Sequence, residues 1–454
     1  MIGAAKKINI LKKLYVKLPP RLMLGSSTYF RFRKYIKKTD KYPIKQLQDL
    51  QFKHLKDIVN HAWKNIPGYK KLWEDGGFHP EQLQSLNDIN KIPFITKEIL
   101  RDNLEAFSYK KLRGIHKITT GGSTGIPFAF YQQRENGIIE LAFMHEIWSR
   151  FYPEVNYHVN ATILRGKKIG KPAEYDPLNG LILSSFDLTP ENIKLYVAAI
   201  EKYKTHILRA YPSSLYVFSS LVKSLGLKIN HHFKVIMLGS ENLYDFQKDQ
   251  IKEVFNAPYV NWYGHGEKTV LAGYCEHKTT YHAFPLYGIT EIVDQDGREI
   301  NEGETGEIIG TSFWNYATPF IRYKTQDYAK KGSASCEKCG RNHLIIEEIQ
   351  GREHEFIVDK NKKLIALTGV SIICGTFNEL LQFRFVQDTI GKFIFRYIKK
   401  PGVNKVNTAS IQQALFDKIG DNFEIVFEEV TEISRTPSGK LMYLEQNLDI
   451  KSLL

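Results

Sequence analysis

Residues 118–127 read Ile-Thr-Thr-Gly-Gly-Ser-Thr-Gly-Ile-Pro, with three glycines (Gly121, Gly122, Gly125) interleaved with hydroxyl side chains (Thr119, Thr120, Ser123, Thr124). With no Cβ at the glycines, backbone N–H groups and short O–H donors approach an anion closely, which suits a phosphate-cradling loop. A Walker loop is excluded, because Lys and then Ser or Thr must follow its last glycine, and here Ile126 and Pro127 follow Gly125. A second chemical cluster is Cys336-Glu-Lys-Cys339-Gly340, a tight turn that presents two thiolates to Zn²⁺. Cys275 with either His277 or His282, the latter preferred, would complete four ligands. The chain holds four cysteines, too few for a disulfide framework, and Cys374 lies in an apolar run that reads as core.

These groups need elements to hold them. Between residues 159 and 264 short apolar runs alternate with helical stripes, the signature of α/β architecture. Strands are expected at Val159 to Leu164, Leu181 to Ser185, His206 to Ala210, Val235 to Leu238 and Pro258 to Trp262. Helices fall between them, one capped by Thr189 with Pro190 at its first position, others near 213–226 and 244–255. Upstream, Leu47, Leu50, Leu55, Ile58, Val59 and Ala62 mark a one-sided helix that stops at Pro67-Gly68, and Thr96 caps a short one. Phe128 to Tyr131 reads as a strand leaving the glycine-rich loop. From Gly288 to Ala329, turn signals at Asp296-Gly297, Glu302-Gly303 and Thr305-Gly306 predict a small antiparallel sheet or barrel. The fold class is therefore α/β: a large domain over 1–350, with a basic segment at 1–42, then a small mobile α+β domain over 351–454. Four motifs fall at the ends of such elements: Gly239-Ser-Glu-Asn242, Tyr263-Gly-His-Gly-Glu267, Tyr323-Lys-Thr-Gln-Asp327 and Arg435-Thr-Pro-Ser-Gly-Lys440. Ligands of open α/β sheets bind beyond the carboxyl ends of strands, so acids there are placed for a site.

In this order the motifs resemble the adenylate-forming superfamily, and within it the branch of phenylacetate–CoA ligases and CapK-like proteins. The resemblance spans roughly residues 44 to 445 and includes Ile66-Pro-Gly-Tyr69 and Ile92-Pro-Phe-Ile-Thr-Lys97. It implies that Thr120, Gly121, Gly122, Ser123, Thr124 and Gly125 wrap the β- and γ-phosphates of ATP. Gly121 stands where Ser is usual and Ile126 where Lys is frequent, which removes two polar contacts. Gly239, Ser240 and Glu241 would border the adenine, Tyr263 would stack on it with Gly264 also in the nucleotide site, and Asp327 would take the ribose hydroxyls. Glu267 would hold Mg²⁺, and Lys440 would swing in to neutralise charge as a carboxylate meets the α-phosphate. Gly351-Arg352 would border the hinge, where Glu355 departs from the usual residue. His265 reads as a packed neutral residue, because adenylation removes no proton from a carboxylate. Together Thr124, Glu267, Asp327 and Lys440 are expected to meet around one nucleotide. Relatives also imply a structural zinc at the cysteine cluster.

The implied activity is AMP-forming activation of a small carboxylic acid, with coenzyme A as acceptor. One alternative is an acyl- or aminoacyl-activating tailoring enzyme acting on a carrier or glycan acceptor of a surface polysaccharide. Another is a scaffold that keeps the fold without catalysis. The net charge of +14 permits anionic partners. No interleaved basic and aromatic motif points to nucleic acid. Lysines and arginines before residue 40, mixed with Ile8, Ile10, Leu11, Leu14 and Val16, suit peripheral contact with the inner membrane face. No apolar run approaches a membrane span, and the N-terminus lacks a signal-peptide core, so a cytoplasmic location is expected.

Overall fold

The computed structural model describes residues 27–120, 128–155, 160–165, 171–352, 356–366, 379–436 and 441–448, with residues 12, 14, 15, 18, 22 and 377. Two compact units emerge, one of residues 1–17, 158–259 and 350–454, the other of residues 18–157 and 260–349.

In the first unit, strands Val235–Gly239, Ile207–Ala210, Ala161–Leu164 and Gly180–Leu183 lie side by side and parallel, and Ala173–Asp176 closes the edge antiparallel. Helix Pro190–Tyr203 starts as its sequence dictates. The Thr189 hydroxyl accepts from the Asn192 N–H, Pro190 sits at the first position, and Ile193, Tyr196 and Ile200 form the buried stripe. Helices Pro212–Ser224 and Asp245–Phe255 follow the next two strands. The C-terminal part is a four-stranded sheet in the order Glu424–Glu429, Lys392–Lys399, Leu380–Thr389, Leu444–Gln446, with helix Thr408–Ile419. One apolar core runs through both parts, from Leu208, Ile236 and Phe218 to Phe377, Phe383 and Phe395.

The second unit is built on seven strands. Their order is Gly288–Val293, Thr305–Ser312, Tyr323–Lys331, Ile345–Arg352, Tyr281–Ala283, Leu271–Tyr274 and Tyr259–Gly264. The antiparallel section thus extends past the 288–329 stretch that its turns mark. The added strands at 271–274 and 281–283 are too short to show alternation. Hairpin Ile115–Thr120 with Phe128–Gln133 pairs Thr120 opposite Phe128, so the glycine-rich residues join two paired strands. Residues 121–127 themselves lie outside the described residues.

Helix Thr28–Thr39 buries Tyr29, Phe32 and Ile36. Arg33 sits 2.5 Å from Glu146 of helix Arg134–Ser149, with both side chains mostly buried. This arginine of the basic N-terminal segment is an internal counter-ion, so it is not available to a membrane surface. Among the described residues no helix is long and apolar enough to cross a membrane.

Arg322 is only 3% exposed and sits at φ 51°. Its Nε and Nη2 donate to Glu291 at 3.1 and 3.0 Å, and its Nη1 donates to the carbonyls of Asn90 and Ile92 at 2.7 and 3.0 Å. The Ile92-Pro93-Phe94 stretch is thereby fixed beside strand Tyr323–Lys331, and the guanidinium lies 4.2 Å from the Phe94 ring centroid. Burial pushes the Glu291 carboxyl up despite the guanidinium beside it. Arg322→Leu strands that carboxyl without its cation and is expected to destabilise the protein by about 3–5 kcal/mol in denaturant titration. Adding Glu291→Leu should recover much of the loss.

Candidate functional site

Two groups of the predicted residues can be placed, one in each unit. In the second unit, strand alternation puts Tyr323, Thr325 and Asp327 on one buried face. The Tyr263 hydroxyl, at the end of strand Tyr259–Gly264, donates to Asp327 Oδ2 at 2.7 Å. The Tyr323 hydroxyl donates to Glu267 Oε1 at 3.4 Å. Both predicted acids are therefore tied by a tyrosine to the same pair of segments. His265 lies between, its Nδ1 3.4 Å from Glu267 Oε2 and its Nε2 3.1 Å from Thr269 Oγ1. It is a packed histidine with Nε2 hydrogen-bonded to Thr269 and Nδ1 facing the Glu267 carboxylate. Tyr323 was quoted in its motif without a role; its spacing of four from Asp327 on a strand is the signal that places both on one face.

In the first unit, Gly239 ends strand Val235–Gly239, and Ser240 follows at φ 68°, a left-handed conformation rare for serine. Arg165 Nη2 donates to Ser240 Oγ at 2.7 Å. Glu241 accepts from the Ser213 N–H at 2.9 Å and the Ser213 hydroxyl at 3.1 Å. That places a carboxylate at the N-terminus of helix Pro212–Ser224, where unpaired N–H groups and the helix dipole favour it. Arg435, from the C-terminal motif, donates from Nη1 to Ser214 Oγ at 3.2 Å. Burial holds its guanidinium below the usual arginine value, and the attraction of Glu241 opposes this. The C-terminal motif and the Gly-Ser-Glu motif thus share one helix end. Arg435→Ala is expected to speed hydrogen exchange at the Ser213 and Ser214 amides about tenfold, the loss of one charged hydrogen bond of about 1.5 kcal/mol.

Thr124, with Gly121, Gly122, Ser123 and Gly125, and likewise Lys440, Glu355 and Cys374, lie outside the described residues. Thr120 ends its strand, and Gly351 and Arg352 end strand Ile345–Arg352.

The metal cluster is assembled wholly within the second unit. The ligand atoms of Cys275, His282, Cys336 and Cys339 lie within 4.8 Å of one another, and all four residues are buried. A tetrahedral zinc, with bonds of about 2.3 Å to sulfur and 2.0 Å to nitrogen, spaces its ligands about 3.5–3.8 Å apart. Cys339 Sγ and His282 Nδ1 are 3.8 Å apart, so the set fits zinc. Cys275 follows strand Leu271–Tyr274, and His282 sits in strand Tyr281–Ala283. The Cys336–Gly340 turn is closed by the Gly340 N–H on the Cys336 carbonyl at 2.8 Å, with Gly340 at φ 71°. His277 is exposed and contributes its backbone N–H to Cys275 Sγ at 3.4 Å. Burial, with Arg150 and Arg341 nearby, pushes His282 down to about 3, so its ring is neutral. Burial raises Cys275; at Cys336 the burial penalty is outweighed by N–H groups of the turn, which lower it. Arg341, absent from the sequence-based assignment, bridges Asp40 at 2.7 Å and Glu276 at 2.8 Å beside this cluster.

Residues 357–447 match the family described as the CapK C-terminal domain. Protein CapK of Staphylococcus aureus is 25% identical over 416 residues, covering 88% of this chain and 90% of that protein. Phenylacetate-coenzyme A ligase of Thermus thermophilus is 22% identical over 329 residues, covering 70% and 72%. Phenylacetate-coenzyme A ligase of Escherichia coli K12 is 23% identical over 330 residues, covering 69% and 73%. Among solved structures, 2-hydroxyisobutyryl-CoA ligase in the postadenylation state matches in fold, with a TM-score of 0.72 at 17% identity over 92% of this chain and 93% of that one. The order of the motifs, the fold and these relatives agree: the chain is similar to adenylate-forming ligases, and within them to CapK and the phenylacetate–coenzyme A ligases.

Proposed function

We propose that the protein activates a carboxylic acid with ATP and passes the acyl group to coenzyme A. A carboxylate oxygen attacks the α-phosphorus of ATP, the bond to the bridging oxygen breaks, and pyrophosphate leaves. The thiol sulfur of coenzyme A then attacks the acyl carbonyl, its proton is lost, and AMP departs. The observation that carries this reading is the pairing of Tyr263 with Asp327 and of Tyr323 with Glu267 on adjoining segments. Asp327 would take the ribose hydroxyls beside Tyr263, whose ring would face the adenine. Glu267 would hold Mg²⁺ through its carboxylate, and the ion would supply positive charge to offset that of the phosphates. The glycine-rich loop would grip the β- and γ-phosphates, Gly239 to Glu241 would border the base, and Lys440 would approach the α-phosphate with the swing of residues 351–454 past Arg352. The fit of four buried ligands supports a structural zinc. The test is acid-dependent exchange of labelled pyrophosphate into ATP across aryl, aminoacyl and short-chain acids. Exchange with at least one is expected, and none with any would overturn the reading.

A second acceptor has its own support. The match to protein CapK covers 90% of that protein, against 72–73% for the two ligases described above, and includes the C-terminal domain. That favours a tailoring enzyme that delivers the acyl group to a surface-polysaccharide precursor. Robust exchange without net acyl-CoA formation would select it.

A further inference from the structure

A cavity of about 500 Å³ lies inside the first unit, at the seam between the C-terminal sheet and helices Pro212–Ser224 and Asp245–Phe255. Small-molecule sites typically enclose about 300–1,000 Å³. Its lining includes Tyr216 and Phe246 from the helices and Phe377 from the C-terminal part. Tyr216 and Phe246 meet edge to face at 5.0 Å, and Phe246 meets Phe377 the same way at 6.5 Å. Such edge-on walls leave ring faces for a flat guest.

Several polar groups in the lining are unspent, the Ser220 hydroxyl among them. The Gln250 amide nitrogen is buried and has no hydrogen-bond acceptor among the described residues. A buried donor without an acceptor is costly, and a guest oxygen would satisfy it. The Lys400 ammonium lies 5.7 Å from the Tyr216 ring centroid, with no ion-pair partner among the described residues. Burial and the neighbouring Lys223 hold it below the ordinary lysine value. Glu253 is committed to Lys223 at 2.7 Å, and Asp249 is exposed at the rim. An aromatic wall with one uncompensated cation and one spare amide donor describes a receptor for an aromatic ring carrying an anionic group.

We propose that this seam binds a planar aromatic anion, held by Lys400 and Gln250 over Tyr216, Phe246 and Phe377, and that occupancy ties the C-terminal sheet to the two helices. The site is defined without reference to catalysis; that it would slow a swing of residues 351–454 between half-reactions rests on the proposed function.

The probe is 8-anilinonaphthalene-1-sulfonate on the full-length protein, with neutral N-phenyl-1-naphthylamine as control. Saturable fluorescence is expected for the sulfonate, at least tenfold tighter than for the neutral ring. Lys400→Gln should weaken it about tenfold, Gln250→Leu severalfold, and Val403→Trp, which fills the lining, should abolish the saturable phase. Hydrogen exchange should slow on sulfonate binding in both Asp245–Phe255 and Lys392–Lys399. Unchanged melting temperatures of the free variants show that they fold. Absence of saturable binding, or affinity within twofold of wild type in both Lys400→Gln and Val403→Trp, overturns the site. Absent pyrophosphate exchange with binding intact would instead overturn the proposed function.

Discussion

Glu267→Gln should lower acid-dependent ATP–pyrophosphate exchange by about a hundred- to a thousandfold. That is the loss typical of removing one group that stabilises charge in the transition state. The substitution keeps side-chain size and can keep the contact to the Tyr323 hydroxyl, found at 3.4 Å. What disappears is the negative charge a Mg²⁺ ion needs beside the phosphates, so the effect should appear in the rate at saturating ATP. Higher magnesium should restore part of it. Asp327→Asn separates a second role. An amide still meets the Tyr263 hydroxyl, now 2.7 Å from the carboxylate, but holds the ribose less well. Its loss should fall on KM for ATP, about ten- to a hundredfold, since a hydrogen bond to a charged group is worth about 1.5–3 kcal/mol. Tyr323→Phe, removing only the long contact to Glu267, should cost less than tenfold. Equal and small effects from all three substitutions would remove the nucleotide from this face.

How much of this was legible beforehand follows from the range of the interactions. Strand alternation and capping act within a few residues, so the Thr189 cap with Pro190 and the helix with Leu55, Ile58, Val59 and Ala62 inside read directly from the chain. Helix Arg134–Ser149 did not, because its buried positions include His145 and Glu146 and run through consecutive residues from Ala142 to Trp148, leaving no stripe. Those polar positions are satisfied from far away in sequence, by Tyr29 at 2.7 Å from His145 and Arg33 at 2.5 Å from Glu146. The site shows the same division. Spacing marks Glu267, Asp327 and the cysteine turn as chemistry-bearing, and it separates His282 from His277 only by preference. The joining of Arg435 to the Ser213–Glu241 helix end, and of Arg341 to Asp40, depends on tertiary placement that no local pattern encodes.

Zinc removal should cost stability on the scale expected for Arg322→Leu. One zinc per chain is expected by elemental analysis, and chelation should lower unfolding free energy by about 3–4 kcal/mol when free metal stands 100- to 1,000-fold above its Kd. Cys339→Ser or His282→Ala should abolish the stoichiometric metal, whereas His277→Ala should leave it, since that side chain is exposed and only its backbone N–H reaches Cys275. Three thiolates on Zn²⁺ leave one net negative charge, and the four ligands are buried, so a nearby cation is required. Arg341 would be such a cation, beside Arg150, which also lies near His282. Arg341 is 5% exposed, and although burial opposes its charge, Glu276, Asp40 and Cys339 together hold its guanidinium above the usual arginine value. Arg341→Gln should therefore weaken zinc about ten- to a hundredfold, read as faster release to a chromogenic chelator, while leaving stoichiometry at saturation. Its contact to Asp40, just past helix Thr28–Thr39, adds a second readout: the same variant should loosen that helix to hydrogen exchange. Metal held as tightly in Arg341→Gln as in wild type would show that the guanidinium serves Asp40 and Glu276 alone.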